Sequence, residues 1–175
     1  GPGIYSDTKP YYYVYGYEGT DVAEAKVTAN YNIYGVLYNW IAAMNGADGS
    51  DANPSGVQGI CPEGWHLPSD AEWTQLINYL GGESVAGDYL KEIGTKHWNA
   101  PNERATNETG FTALPGGRLG ISGSFNNIGS NGFWWSAAEY DEFDAWYRYM
   151  TNKYSEVGRY SFFKDAGLSV RCVKD

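Results

Sequence analysis

No apolar run in this sequence approaches the ~20 residues that a membrane-spanning helix needs, so insertion of this domain into a bilayer is not expected. Basic residues are also scarce, with 12 Lys and Arg against 21 Asp and Glu and a formal charge of -9. Phosphate backbones and anionic membrane surfaces attract clustered cations, so nucleic acid is not an expected partner. There are two histidines, His66 and His97, and two cysteines, Cys61 and Cys172. They form no cluster at ligand spacing, and neither a metal nor another cofactor is expected. No N-terminal signal sequence is visible, which reads as a mature or trimmed chain.

Catalytic patterns are missing as well. Gly120-Ile121-Ser122-Gly123-Ser124 lacks the last glycine of a nucleophile elbow, and its flanks do not read as a strand feeding a helix. Glu139, Asp141, Glu142 and Asp144 crowd one loop, yet nothing fixes their separation or raises one pKa as glycoside hydrolysis requires. Residues 48–54 are rich in Asp and Asn but lack the alternating calcium-loop register and its distal Glu, so they read as a turn. An enzyme is not expected.

What the chain has in quantity is glycine (23), tyrosine (16) and tryptophan (7). That suggests a loop-rich fold presenting amphipathic rings, a property of extracellular recognition domains because such rings give contact area at low rotamer cost. A length of 175 residues fits one domain, burying roughly 70% of the unfolded surface. Residues 1–3 read as a tag remnant or linker and residues 4–175 as the domain.

Ser69 with Glu72 makes a capping box, and Trp73, Leu76, Ile77 and Leu80 recur at helical spacing before Gly81-Gly82, which predicts a short core helix. Helices are also predicted over residues 34–44, burying Leu37, Trp40, Ile41 and Met44, and over residues 85–93, with Leu90 and Ile93 inward. Alternation predicts a strand over residues 11–16, while residues 19–29 show little pattern. Residues 111–115 read as a short strand and residues 116–132 as a long glycine-rich loop. Residues 133–137, 145–150, 157–163 and 168–173 follow at the spacing of antiparallel hairpins. The order indicates α+β with segregated elements. Asn107-Glu108-Thr109 reads as a turn, and His66 as a hydrogen-bonded structural residue. Cys61 and Cys172 are either one bridge, closing a loop worth about 4–5 kcal/mol in the chain-entropy model, or two buried thiols.

Five blocks in order resemble the Fibrobacter succinogenes major paralogous domain family. They are Tyr34-Gly35-x-Leu37-Tyr38-Asn39-Trp40; Cys61-Pro62-x-Gly64-Trp65-His66-x-Pro68-x-Asp70-x-Glu72-Trp73; Asn107-Glu108-x-Gly110-Phe111-x-Ala113-Leu114-Pro115-Gly116-Gly117-Arg118; Trp134-Trp135-Ser136; and Ser169-Val170-Arg171-Cys172-Val173. The resemblance implies kinship with the formylglycine-generating, sulfatase-modifying enzymes and a C-type lectin-like fold, with two main helices packed on a small antiparallel sheet and long loops. It also implies a secreted or surface-anchored protein of Bacteroidetes. The family's usual opening strand motif, near Trp-Met-Ala-Glu-Asn-Leu, is absent. The two cysteines fall on the family's own motifs, which implies a structural Cys61–Cys172 bridge in place of a catalytic pair. The triplets of calcium-dependent sugar binding are missing. The terminal stretch, residues 145–171, is similar to variable proteins diversified by retroelements, in which Asn, Tyr, Ser and Phe positions interchange before a Gly-x-Ser-Val-Arg block.

The expected function is therefore a non-catalytic, extracellular or cell-surface module that binds a protein or glycan through residues 140–163. Tyr147, Tyr149, Tyr154, Tyr160, Phe162 and Phe163 are the expected anchors, beside Tyr140 and Phe143. Asp141, Asp144 and Asn152 are expected to give polar specificity. Trp134, Trp135 and Trp146 are assigned to the core. The alternatives are a catalytic relative of the sulfatase-modifying enzymes, or a structural or pilus-tip subunit.

Overall fold

The computed structural model describes residues 6, 8–102 and 104–175; the tag-remnant reading of residues 1–3 lies outside them. A short strand β1 (Tyr12–Tyr13) precedes two one-turn helices, α1 (Val22–Lys26) and α2 (Ala29–Tyr34). Strand β2 (Leu37–Tyr38), helix α3 (Trp40–Met44), strand β3 (Trp65–His66) and the two longer helices α4 (Asp70–Tyr79) and α5 (Glu83–Leu90) follow. The second half is β4 (Gly116–Leu119), β5 (Phe125–Ile128), β6 (Asn131–Glu139), β7 (Asp144–Thr151), β8 (Val157–Phe163) and β9 (Val173–Lys174). Strands β6, β7 and β8 form an antiparallel meander, and β1–β2, β3–β9 and β4–β5 pair separately. The chain is α+β.

Helix α4 starts as its sequence dictates. Ser69 Oγ accepts from the Glu72 amide at 3.1 Å and Glu72 Oε2 accepts from the Ser69 amide at 3.0 Å, while Trp73 and Ile77 are buried. Elsewhere local chemistry redirects the chain. The continuous helix expected over residues 34–44 is broken because Gly35 takes φ +73°, accessible to glycine at no steric cost. Asn39 then caps α3 by accepting from the Ala42 amide. Leu37, Trp40 and Met44 are buried even so, and Ile41 is partly buried. Residues 19–29 hold α1, started by the Asp21 carboxylate. The strand expected over residues 11–16 shrinks to two paired residues.

Four further expectations change. Helix α5 ends at Leu90, so Lys91 turns inward and Ile93 is exposed. Residues 111–115 form no strand, only a parallel bridge from Ala113 to Lys91. The expected loop of residues 116–132 contains the β4–β5 hairpin and runs into β6. Of residues 168–173, only Val173 belongs to a strand, paired with His66. Gly167, Leu168 and Ser169 instead bridge Leu119, Tyr38 and Trp134 in turn.

Strand β6 is buried on both faces, while β8 is largely open. Successive strand residues point to opposite sides, so Trp135 joins Trp40, Met44, Leu67 and Leu168 in one apolar cluster. Trp134 joins Trp73, Ile77, Leu90 and Trp98 in the other, beneath α4 and α5. A disulfide between Cys61 and Cys172 fastens the approach to α4 to the last residues of the chain.

Candidate functional site

Register in the meander decides which of the expected anchors meet. Tyr147 pairs with Tyr160, Ala145 with Phe162, and Tyr149 with Gly158; Phe133 of β6 lies opposite Tyr149. Cross-strand partners share a face, so Phe133, Tyr147, Tyr149, Tyr160 and Phe162 form one aromatic ladder. Tyr149 stacks on Phe133 at 6.1 Å with 25° between planes, and its ring is 5.6 Å from Tyr160. Gly158 makes this possible: a Cβ there would fall 2.0 Å from the Tyr149 ring, so the bare backbone is the bed on which that ring lies.

Exposure divides the ladder into floor and surface. Tyr147 is 8% exposed, whereas Tyr160 is 50% exposed. Tyr147 is therefore a floor residue and not the exposed anchor expected; burial first, with neighbouring Tyr149 and Tyr160, pushes its phenol pKa up despite Arg118 nearby. Tyr149 and Phe162 are partly buried. Phe163, opposite Asp144 at the end of β8, alternates to the other side of the sheet, and its ring meets Phe162 edge-on at 5.9 Å. Arg118, from β4, lies between the rings, 4.9 Å from Phe133 and 4.5 Å from Phe162. Its Nε donates to Asn126 Oδ1. A guanidinium over ring faces is held by cation–π attraction, and this one also hydrogen-bonds the Tyr147 phenol.

The other expected site residues do not join this ladder. Asn152 is 5% exposed, donating from Nδ2 to the Ala100 carbonyl at 2.7 Å, so it pins a loop and cannot read a ligand. Asp141 Oδ1 accepts from the Phe143 and Asp144 amides, which builds the β6–β7 turn. Asp144 Oδ2 accepts from Ser161. Tyr154 is exposed in the β7–β8 turn, where its carbonyl accepts from Lys91 Nζ, and it is in no ring pair with the ladder. Tyr140 and Phe143 are exposed at the far turn.

Trp146, assigned to the core, is only partly buried and lies on the opposite face. Its ring meets Tyr140 at 4.8 Å and carries the Arg159 guanidinium at 3.5 Å. Neither Arg159 nor Arg118 is an expected site residue, although Arg118 closes the third family block. Each is aimed at an aromatic ring that tertiary packing brings to it.

These features define an α+β, disulfide-bridged domain with a partly open aromatic sheet face. The Fibrobacter succinogenes major domain matches residues 5–174, and the chain belongs to that family. No curated protein and no solved structure matches it.

Proposed function

We propose that the chain is a non-catalytic, extracellular ligand-binding module of C-type lectin-like fold, which holds a protein or glycan against the β7–β8 aromatic face. The observation that carries this reading is the ladder itself. Tyr149, Tyr160 and Phe162 offer contiguous rings at the surface, with Arg118 set among them and Phe163 edge-on to Phe162 at the rim. Contiguous exposed rings on a soluble domain cost solubility and mark interaction sites, and aromatic and Arg side chains dominate binding hot spots.

The support beneath the face fits that role. Phe133, Tyr147 and Trp135 pack under it, so the surface rings lose little freedom on binding. The Cys61–Cys172 bond suits an oxidising compartment and leaves no free thiol in the chain for cysteine-based oxidation.

Glycan and protein array screening identifies the ligand class, followed by Tyr160→Ala and Phe163→Ala. Both side chains are about half exposed, so each change is expected to weaken binding about tenfold or more while shifting the melting temperature by no more than about 2 °C. Full affinity in the double variant overturns the reading.

A further inference from the structure

A second feature lies away from the aromatic ladder. Between α4 and the segment that leads to the disulfide is a groove of about 440 Å³, lined by Pro68, Trp73, Leu76, Tyr79, Phe111 and Arg171 among others. Its walls are mainly apolar, and Tyr79 stands 86% exposed at its side. Arg171 is partly buried, with its guanidinium 4.2 Å from the centre of the Phe111 ring.

Among the described residues Arg171 has no ion pair and no hydrogen bond. In this it differs from Arg148, Arg159 and Lys164, each of which meets a carboxylate within 2.8 Å. A cation taken partly out of water without a counter-charge is costly, and burial alone pulls its pKa down. The Trp73 indole N–H is also buried without an acceptor. The Tyr79 hydroxyl faces solvent, and the remaining polar side chains of the groove have partners. Asn53 donates to Gln75, and Glu72 accepts from the Ser55 and Ser69 amides while its other oxygen meets His66.

We infer that this groove is a second binding site, for an apolar monocarboxylate whose carboxylate pairs with Arg171 and whose alkyl or aryl group lies against Trp73, Leu76 and Phe111. An acidic sugar suits it less, because its hydroxyls need a polar lining and the amides present are bonded to each other. The same chemistry is offered by a free carboxylic acid and by the C-terminal residue of a peptide. This site does not depend on the aromatic ladder.

The test is a titration of ¹⁵N-labelled protein with 3-phenylpropionate, N-acetylphenylalanine and the neutral 3-phenylpropionamide. The acids are expected to shift the Trp73 indole and the Phe111 and Leu76 amides saturably, and the amide to bind about tenfold or more weakly. Tighter binding of N-acetylphenylalanine identifies a peptide terminus as the source, and tighter binding of 3-phenylpropionate a free acid. Arg171→Gln is expected to reduce both acids to the affinity of the amide. Gln75→Glu, at an exposed position that keeps the acceptor for Asn53, is expected to weaken both acids several-fold by charge repulsion. Equal affinity for acid and amide, unchanged affinity in both variants, or no shift at 10 mM ligand (roughly the weakest affinity worth assigning) overturns the inference.

Discussion

Asp70 Oδ1 accepts a hydrogen bond from Arg148 Nη2 at 2.8 Å, joining the first turn of α4 to the middle strand of the meander. The second oxygen accepts from Arg159 Nε, also at 2.8 Å. One carboxylate thus serves two strands and the positive end of a helix. Arg148 is 1% exposed, so Asp70→Ala leaves a buried cation with only the longer contact to the half-exposed Glu83, at 3.5 Å, as counter-charge. The expected loss is about 3–5 kcal/mol, read as a lower urea midpoint. A loss below about 1 kcal/mol, the range of surface pairs, contradicts this account.

Gly158 lies beneath the Tyr149 ring, with no room for a methyl group. Gly158→Ala is expected to lift Tyr149 from Tyr160 and weaken ligand binding about as much as Tyr160→Ala does. The domain should stay folded, because the strand register is set elsewhere along β7 and β8. Changed ring chemical shifts for Tyr149 and Tyr160, without loss of dispersion elsewhere, check it.

His66 gives a pH dependence of known sign. Its Nδ1 lies 2.6 Å from Asp175 and its Nε2 2.7 Å from Glu72. Burial works against its charge, but the bonds to Asp175 and Glu72 outweigh that and raise the pKa above 6.5. The stabilisation is therefore full below the unfolded value near 6.5 and fades as pH rises through the folded pKa. Urea midpoints should fall on the alkaline side in the wild type, and His66→Gln should lack that component. A wild-type and variant difference that is constant with pH contradicts the assignment.

Gly87 sits inside α5, where alanine would ordinarily gain about 1 kcal/mol. Here a Cβ would come 2.6 Å from the Ser155 carbonyl oxygen, and the Gly87 amide donates to that same oxygen at 2.8 Å. Backbone cannot yield cheaply, so Gly87→Ala is expected to destabilise by about 1–3 kcal/mol. A raised melting temperature contradicts it.

Much of the frame was legible because its signals are local. The capping box at Ser69 and Glu72, the apolar spacing of Trp73 and Ile77, and the three runs that became β6, β7 and β8 each state their conformation within a few residues. The family motifs added the Cys61–Cys172 pairing. The hairpin of β4 and β5 was not legible, since glycine and asparagine dominate it and a loop is their usual reading. Residues 34–44 misled in the opposite way: their apolar spacing suits a helix, and only Gly35 and the Asn39 cap divide it.

The surface was harder to read than the frame. Composition marked the aromatic third of the chain but did not separate Tyr147 from Tyr160, because the two are cross-strand partners on one face and differ only in that β7 is the covered middle strand and β8 the open edge. That separation came from register and from the β4–β5 hairpin laid beside the meander. Sequence by itself determined α4, most of α5 and the three runs of the meander, through caps and periodicity that act over one or two turns. Only the tertiary structure decided which rings reach solvent, that Arg118 lies among them, and that Arg171 is left without a counter-charge, because each depends on groups distant in the chain being brought within a few ångströms.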